Sequence, residues 1–220
     1  MSTSFDNSSS SDDGNGSQLM MPSNNSSTNV LIFDWDDTIF PSSWLFSMQD
    51  YELAVDKIRR LENSAIELFK TVTKLGLNVM IITNADLNWV YQSCINYMPK
   101  LYPFIQDLTI VSARDRQSQF HTDSGLWKQY TFDDEIRKVW CDRQRSSRLS
   151  LISIGDSLYE RNAVMEFERK HDNVCVKSIK MMDRPSLSQL VKQQELIARE
   201  LGGMVSRPER MDLKLAVQYA

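Results

Sequence analysis

Cysteine is scarce in this chain. Its three, Cys94, Cys141 and Cys175, are widely spaced among 220 residues. An odd, unclustered set argues against a disulfide framework or a zinc site and for reduced thiols. No apolar stretch approaches the length that spans a bilayer. The first residues lack the basic start and apolar core of a secretory signal. Intracellular, cytoplasmic placement is therefore expected, and the Asn-x-Ser patterns at Asn7, Asn24 and Asn25 carry no expectation of glycosylation. Positive charge is missing altogether from residues 1–28, which hold ten Ser, four Asn and the acidic Asp6, Asp12 and Asp13. Such a stretch buries too little apolar area to offset its ordering entropy and is expected to be a disordered tail. It carries three of the four net negative charges. The remainder is nearly neutral, so neither nucleic acid nor a membrane surface is an expected partner.

What is present is a series of apolar runs, each ending in polar residues. Val30-Leu31-Ile32-Phe33 runs into Asp34-Trp35-Asp36-Asp37-Thr38. Val79-Met80-Ile81-Ile82 runs into Thr83-Asn84, and Leu149 to Ile154 into Gly155-Asp156-Ser157-Leu158-Tyr159-Glu160. A carboxylate pair, a hydroxyl and a second acidic pair thus stand at the ends of three strand-like segments, where open α/β sheets place their chemistry. Between the runs lie helical patterns. Ile58, Leu61, Ala65, Leu68, Val72 and Leu75 describe one face of a helix over residues 50–75, with Asp50 and Glu52 near its start, Lys70 and Lys74 near its end, and Gly76 as a stop. Strands are predicted at 29–34, 78–83, 108–112, 149–154 and 174–179. Helices follow near 86–97, 126–141, 157–170 and 186–201, the last ending before Gly202-Gly203. The alternation predicts an α/β fold, a five-stranded, mostly parallel sheet with helices on both faces. The folded domain spans 29–205, and 206–220 is a loosely attached C-terminal extension.

The three motifs, in this order, resemble those of the haloacid dehalogenase-like superfamily: Asp-x-Asp-x-Thr, a hydrophobic run ending in Ser or Thr, a Lys, and Gly-Asp-x-x-x-Asp/Glu. The resemblance covers about residues 29–180 and implies a Rossmann-like three-layer sandwich. It implies that Asp34 is a nucleophile forming an aspartyl-phosphate, that Asp36 is the general acid and base, and that Thr38 ties down the loop while Asp37 points away. Thr83 and the backbone N–H of Asn84 would bind phosphoryl oxygens. Lys128, near the start of the helix before the fourth strand, is the expected neutralising lysine, preferred to Lys138 and Lys100. Mg²⁺ would be held by Asp34, the carbonyl of Asp36 and Asp156, with Glu160 orienting a bound water. Neither interval between motifs has room for a cap domain, so an open, capless site is expected, with a phosphorylated substrate, preferably a protein. A metabolite phosphatase, a phosphotransferase and a catalytically silent binding protein are the alternatives.

Outside the motifs, Trp35 and Trp44 bracket the loop after the first carboxylates, where part of a substrate rim is expected. Arg114 stands on the same edge. The basic residues Arg137, Lys138, Arg143, Arg145, Arg148, Arg169 and Lys170 fall on the opposite edge and read as solvated helix ends.

Overall fold

The computed structural model describes residues 28–48, 52–141 and 148–216. The expected tail up to residue 27, Asp50, Arg143 and Arg145 lie outside the described residues, as do the side chains of Glu52 and Cys141. In chain order the elements are β1 (Thr28–Phe33), α1 (Ser42–Phe46), α2 (Glu52–Lys74), β2 (Asn78–Thr83), α3 (Leu87–Tyr97), α4 (Tyr102–Ile105) and β3 (Thr109–Ser112). There follow α5 (Ala113–Gln117), α6 (Ser124–Cys141), β4 (Leu149–Gly155), α7 (Leu158–Lys170), β5 (Val174–Lys180), α8 (Leu187–Ser206) and β6 (Met211–Lys214).

The strands form one parallel sheet in the order β3-β2-β1-β4-β5-β6. Connections leave β1 in one direction and β4 in the other, which opens a crevice at the carboxyl ends of those two strands. Successive side chains on a strand point to opposite faces, and β1 shows why an unbroken apolar run is needed. Leu31 and Phe33 join Ile58, Leu61 and Leu68 of α2 and Leu190 and Ile197 of α8 in one core. Val30 and Ile32 join Phe132 and Ile136 of α6 and Val164 and Phe167 of α7 in the other. Three layers result. Gly76, at φ 62°, ends α2 in the left-handed conformation that favours glycine.

Two expectations are corrected. The sheet has six strands among the described residues, not five, because β6 pairs parallel with β5 within the stretch expected to be a loose extension. It is a short edge strand, alternating half-buried and exposed, and it lacks the continuous apolar run of a strand covered on both faces. A bidentate ion pair from Arg161 to Asp212, at 2.6 and 3.0 Å, pins it to α7. Helix α8 likewise runs through Gly202-Gly203 to Ser206. Gly202 lies against Leu75, where even an added Cβ would stand 3.8 Å from that side chain, so the helix cost of glycine falls at a contact between α8 and the end of α2.

On the far edge the basic residues answer to local carboxylates. Arg137 pairs with Asp133 at 2.9 Å, Lys138 with Glu135 at 2.7 Å, and Arg169 and Lys170 with Glu166 at 2.8 and 3.3 Å. Cys94 and Cys175 are buried, unbridged thiols, the former pushed up to about 12 by burial and by Glu62. No helix among the described residues is long and apolar enough to cross a membrane.

Candidate active site

Asp34 is the first residue past β1, and its N–H donates to the carbonyl of Ile154 at 3.0 Å, which carries the ladder with β4 one step beyond the strand. Its carboxylate is thereby delivered into the crevice between β1 and β4. Lys128, on α6, meets it there: Nζ lies 2.7 Å from Asp34 Oδ1, and both side chains are almost fully buried. The two form a buried ion pair at the floor of the crevice. Lys128 also pairs with Glu160, through Oε1. Burial alone would lower the lysine's pKa, but Asp34 and Glu160 raise it above its ordinary value, so the ammonium stays charged.

Glu160 has its remaining oxygen committed. Oε2 accepts from the Ser157 N–H at 3.0 Å and the Ser157 hydroxyl at 2.6 Å, a capping box at the start of α7. Burial works upward on this carboxyl, yet Lys128 and Ser157 hold it below its usual range. A Cβ at Gly155 would collide with this side chain, so glycine is what lets Glu160 fold back over the end of β4. Asp156, between them, is half-buried. Lys180 donates to its backbone carbonyl at 2.6 Å and fixes the turn from beneath.

One carboxylate oxygen each from Asp34, Asp156 and Glu160 lies within 4.8 Å of the others. Burial, opposed by Lys128 and reinforced by Glu160 and Asp36, raises Asp34 to about 7. Burial together with Asp34, Glu160 and Asp37 raises Asp156 to about 8. Oxygen donors that repel one another suit a hard divalent cation, and Asp34 and Asp156 are the two with oxygens to give it. The linkage has a definite sign. Both groups hold protons in the fold that they lose near pH 3.8 when unfolded, so without metal, stability falls as pH rises from about 4 to 8. Thermal melts in chelator should therefore show a lower Tm at pH 8 than at pH 5.5. Added Mg²⁺ should raise Tm by several degrees more at pH 8. Equal gains at both pH values would mean that these carboxylates do not hold the ion.

Asp36 lies across the mouth of the crevice. The Ser42 hydroxyl and the Trp89 indole N–H, the latter at 2.9 Å, both donate to its Oδ1. Among the described residues Oδ2 has no such partner and is left to act. Asp37 does not point away, as expected from sequence. It is buried at φ 54°, and its carboxylate accepts from the Ser43 N–H at 2.9 Å, which sets the start of α1. Nor does the Thr38 hydroxyl tie the loop, for it has no hydrogen-bond partner among the described residues. The tie is Gln194 of α8, whose amide donates to the carbonyls of Thr38 and Ile39 at 3.0 and 3.1 Å. Gln194 is itself held by the Ser64 hydroxyl of α2 at 2.7 Å.

Thr83 is buried at the end of β2 and accepts from the Ala85 N–H at 3.1 Å, with its own proton still to donate. The helix beyond begins where it was expected. Asp86 caps α3, so Asn84 stands in the turn ahead of the cap rather than at the helix start. Trp35 is no rim residue. It is fully buried, stacks on Phe40 at 6.0 Å and donates to the Ser93 hydroxyl at 3.0 Å. Trp44 is half-buried against the same core. Arg114 does stand at the mouth, paired with Asp86 at 3.4 Å.

Ser42 lies in the loop where part of a substrate rim is expected and lines a cavity with Asp36, but sequence reasoning missed Trp89, Ser157, Lys180 and Gln194. Of these, only Ser157 had a local signature, the Ser-x-x-Glu spacing of a capping box. The others act through contacts the chain makes only once folded.

No family model matches the chain, and no curated protein matches it at a significant level. Among solved structures, it is similar to a HAD family hydrolase from Deinococcus radiodurans R1, determined with bound phosphate and sodium. The two share 11% identity over 81% of this chain and 98% of the other, with a TM-score of 0.44. So distant a likeness transfers no chemistry, and the reading of the site rests on its own geometry.

Proposed function

We propose that this chain is a Mg²⁺-dependent phosphatase of the haloacid dehalogenase-like superfamily, in its capless branch, acting on a phosphomonoester. The observation that carries the reading is the buried Asp34–Lys128 pair at the β1/β4 crevice, with an unspent Asp36 oxygen across its mouth. A buried carboxylate held beside a permanent cation can attack an anionic phosphorus centre, and a second carboxylate nearby can manage the proton.

Asp34 attacks phosphorus, the bond to the leaving oxygen breaks, and Asp36 supplies the proton that oxygen needs. Asp36 then takes a proton from water as the water attacks the aspartyl-phosphate, which releases phosphate and restores Asp34. Lys128 balances the charge of carboxylate and phosphoryl oxygens, and Thr83 with the Asn84 N–H holds those oxygens. Asp34, Asp156 and the backbone carbonyl of Asp36 would hold Mg²⁺, which when bound would supply the remaining positive charge. Glu160 keeps Lys128 aimed at Asp34. Between Thr38 and Lys128 the described residues form only helices α1 to α5, strands β2 and β3 and the start of α6. That favours an open site and a phosphoprotein-type substrate over a small metabolite.

The test is release of phosphate from nitrophenyl phosphate and from a panel of phosphopeptides, with Mg²⁺ and with chelator. Metal-dependent turnover of at least one substrate is expected. Silence on all of them from folded, Mg²⁺-supplemented protein would overturn the reading.

A further inference from the structure

Resting on that phosphatase reading, we infer that the site is built for aryl phosphates: the leaving group it seats is a neutral aromatic ring, the chemistry of a phosphotyrosyl residue or a free phenol ester. Asp36 must face the leaving oxygen, so the leaving group departs into whatever lies in front of Asp36. What lies there is an open cavity of about 420 Å³, lined by Asp36, Phe46, Trp89 and Arg114 among others. A cavity of this size takes a substituted ring with room to spare.

Its wall is aromatic and continuous with the acid. Trp89 packs edge-on against buried Phe40 at 5.7 Å and donates its N–H to Asp36. Phe46 stacks on Trp89 at 5.4 Å and 20°, yet is 64% exposed. The indole is thus fixed by the core on one side and by the catalytic carboxylate at its edge, and an exposed apolar ring is displayed beside it. A third ring in the cavity covers apolar surface that is otherwise wet, and it gains offset or edge contacts with rings already in place.

Charge narrows the choice. Asp36, Asp37 and Asp86 face the cavity against the one guanidinium of Arg114, which is already paired with Asp86. A leaving group with its own phosphate or carboxylate close to the scissile bond would meet a net negative wall. A short aliphatic alcohol would leave Phe46 uncovered. A neutral ring answers both conditions.

The experiment compares kcat and KM for a phosphotyrosyl peptide, the matching phosphoseryl peptide and free phenyl phosphate, in the native protein and in Phe46→Ala. Aryl esters are intrinsically better leaving groups, so the informative quantity is the change on mutation. The aryl-to-alkyl ratio of kcat/KM should fall about three- to tenfold in Phe46→Ala, mostly through KM. Phe120→Ala, which removes an equally exposed ring in the turn between α5 and α6, should leave it unchanged. A loss on both aryl substrates supports the inference, whereas a loss on the peptide only overturns it, because phenyl phosphate carries the same ring and would have to feel the missing Phe46 as well. An unchanged ratio with turnover intact overturns the aromatic subsite and leaves the phosphatase standing. No turnover of any ester overturns both.

Discussion

Asp34→Asn should keep its fold and lose phosphate release by about a thousandfold or more. The amide cannot form the acyl phosphate, and neither of its neighbours can replace it. Asp156 would be a metal ligand, and Glu160 spends both oxygens on Lys128 and Ser157. The variant should not melt earlier. Asp34 is forced to about 7 by burial and by two neighbouring carboxylates, so neutralising it removes repulsion, while Lys128 keeps its bond to Glu160. The joint result, silent but at least as thermostable, is what separates a nucleophile from a structural carboxylate. Retained turnover would move the nucleophile elsewhere.

Lys128→Met should do the opposite and damage both properties. The side chain lengths match, so the cavity is filled, but two buried carboxylates lose their common cation. Breaking a buried ion pair from one side costs about 3–5 kcal/mol, to be read as a lower urea midpoint at unchanged slope. Activity should fall with it, because Asp34 would then take up a proton and cease to be a nucleophile at neutral pH. Adding Asp34→Asn to Lys128→Met should recover part of the lost stability, since one uncompensated charge is gone. Strict additivity of the two changes would contradict the coupling drawn from the 2.7 Å contact.

The sequence revealed the crevice more readily than its supports. β1, β2 and β4 announce themselves as largely apolar runs because they are covered on both faces. Asp34, Thr83 and Asp156 are legible because each follows such a run. Lys128 was found by the same logic, from its place early in the helix that precedes β4. β6 escaped because an edge strand needs no such run, and Gly202-Gly203 misled because α8 continues through both glycines to Ser206 despite their helix cost. Trp35 bounds the expected rim loop from the inside, because alternation puts it under the sheet with Phe33, beside Phe40. Trp89 and Gln194 were invisible for a different reason: Trp89 is 53 residues from Asp36 and Gln194 is 156 from Thr38, and nothing local marks either pairing.

Gln194 reads two main-chain carbonyls, not side chains, of the loop after Asp36. The path of that loop is therefore specified from a distant helix while its letters at Thr38 and Ile39 are not consulted by the clamp. What constrains those two positions is burial, since Ile39 belongs to the core beneath the loop and Thr38 is buried beside it. A genetic screen, conversely, would score lesions at Gln194 or Ser64 as losses of catalysis, although neither residue lines the cavity in front of Asp36.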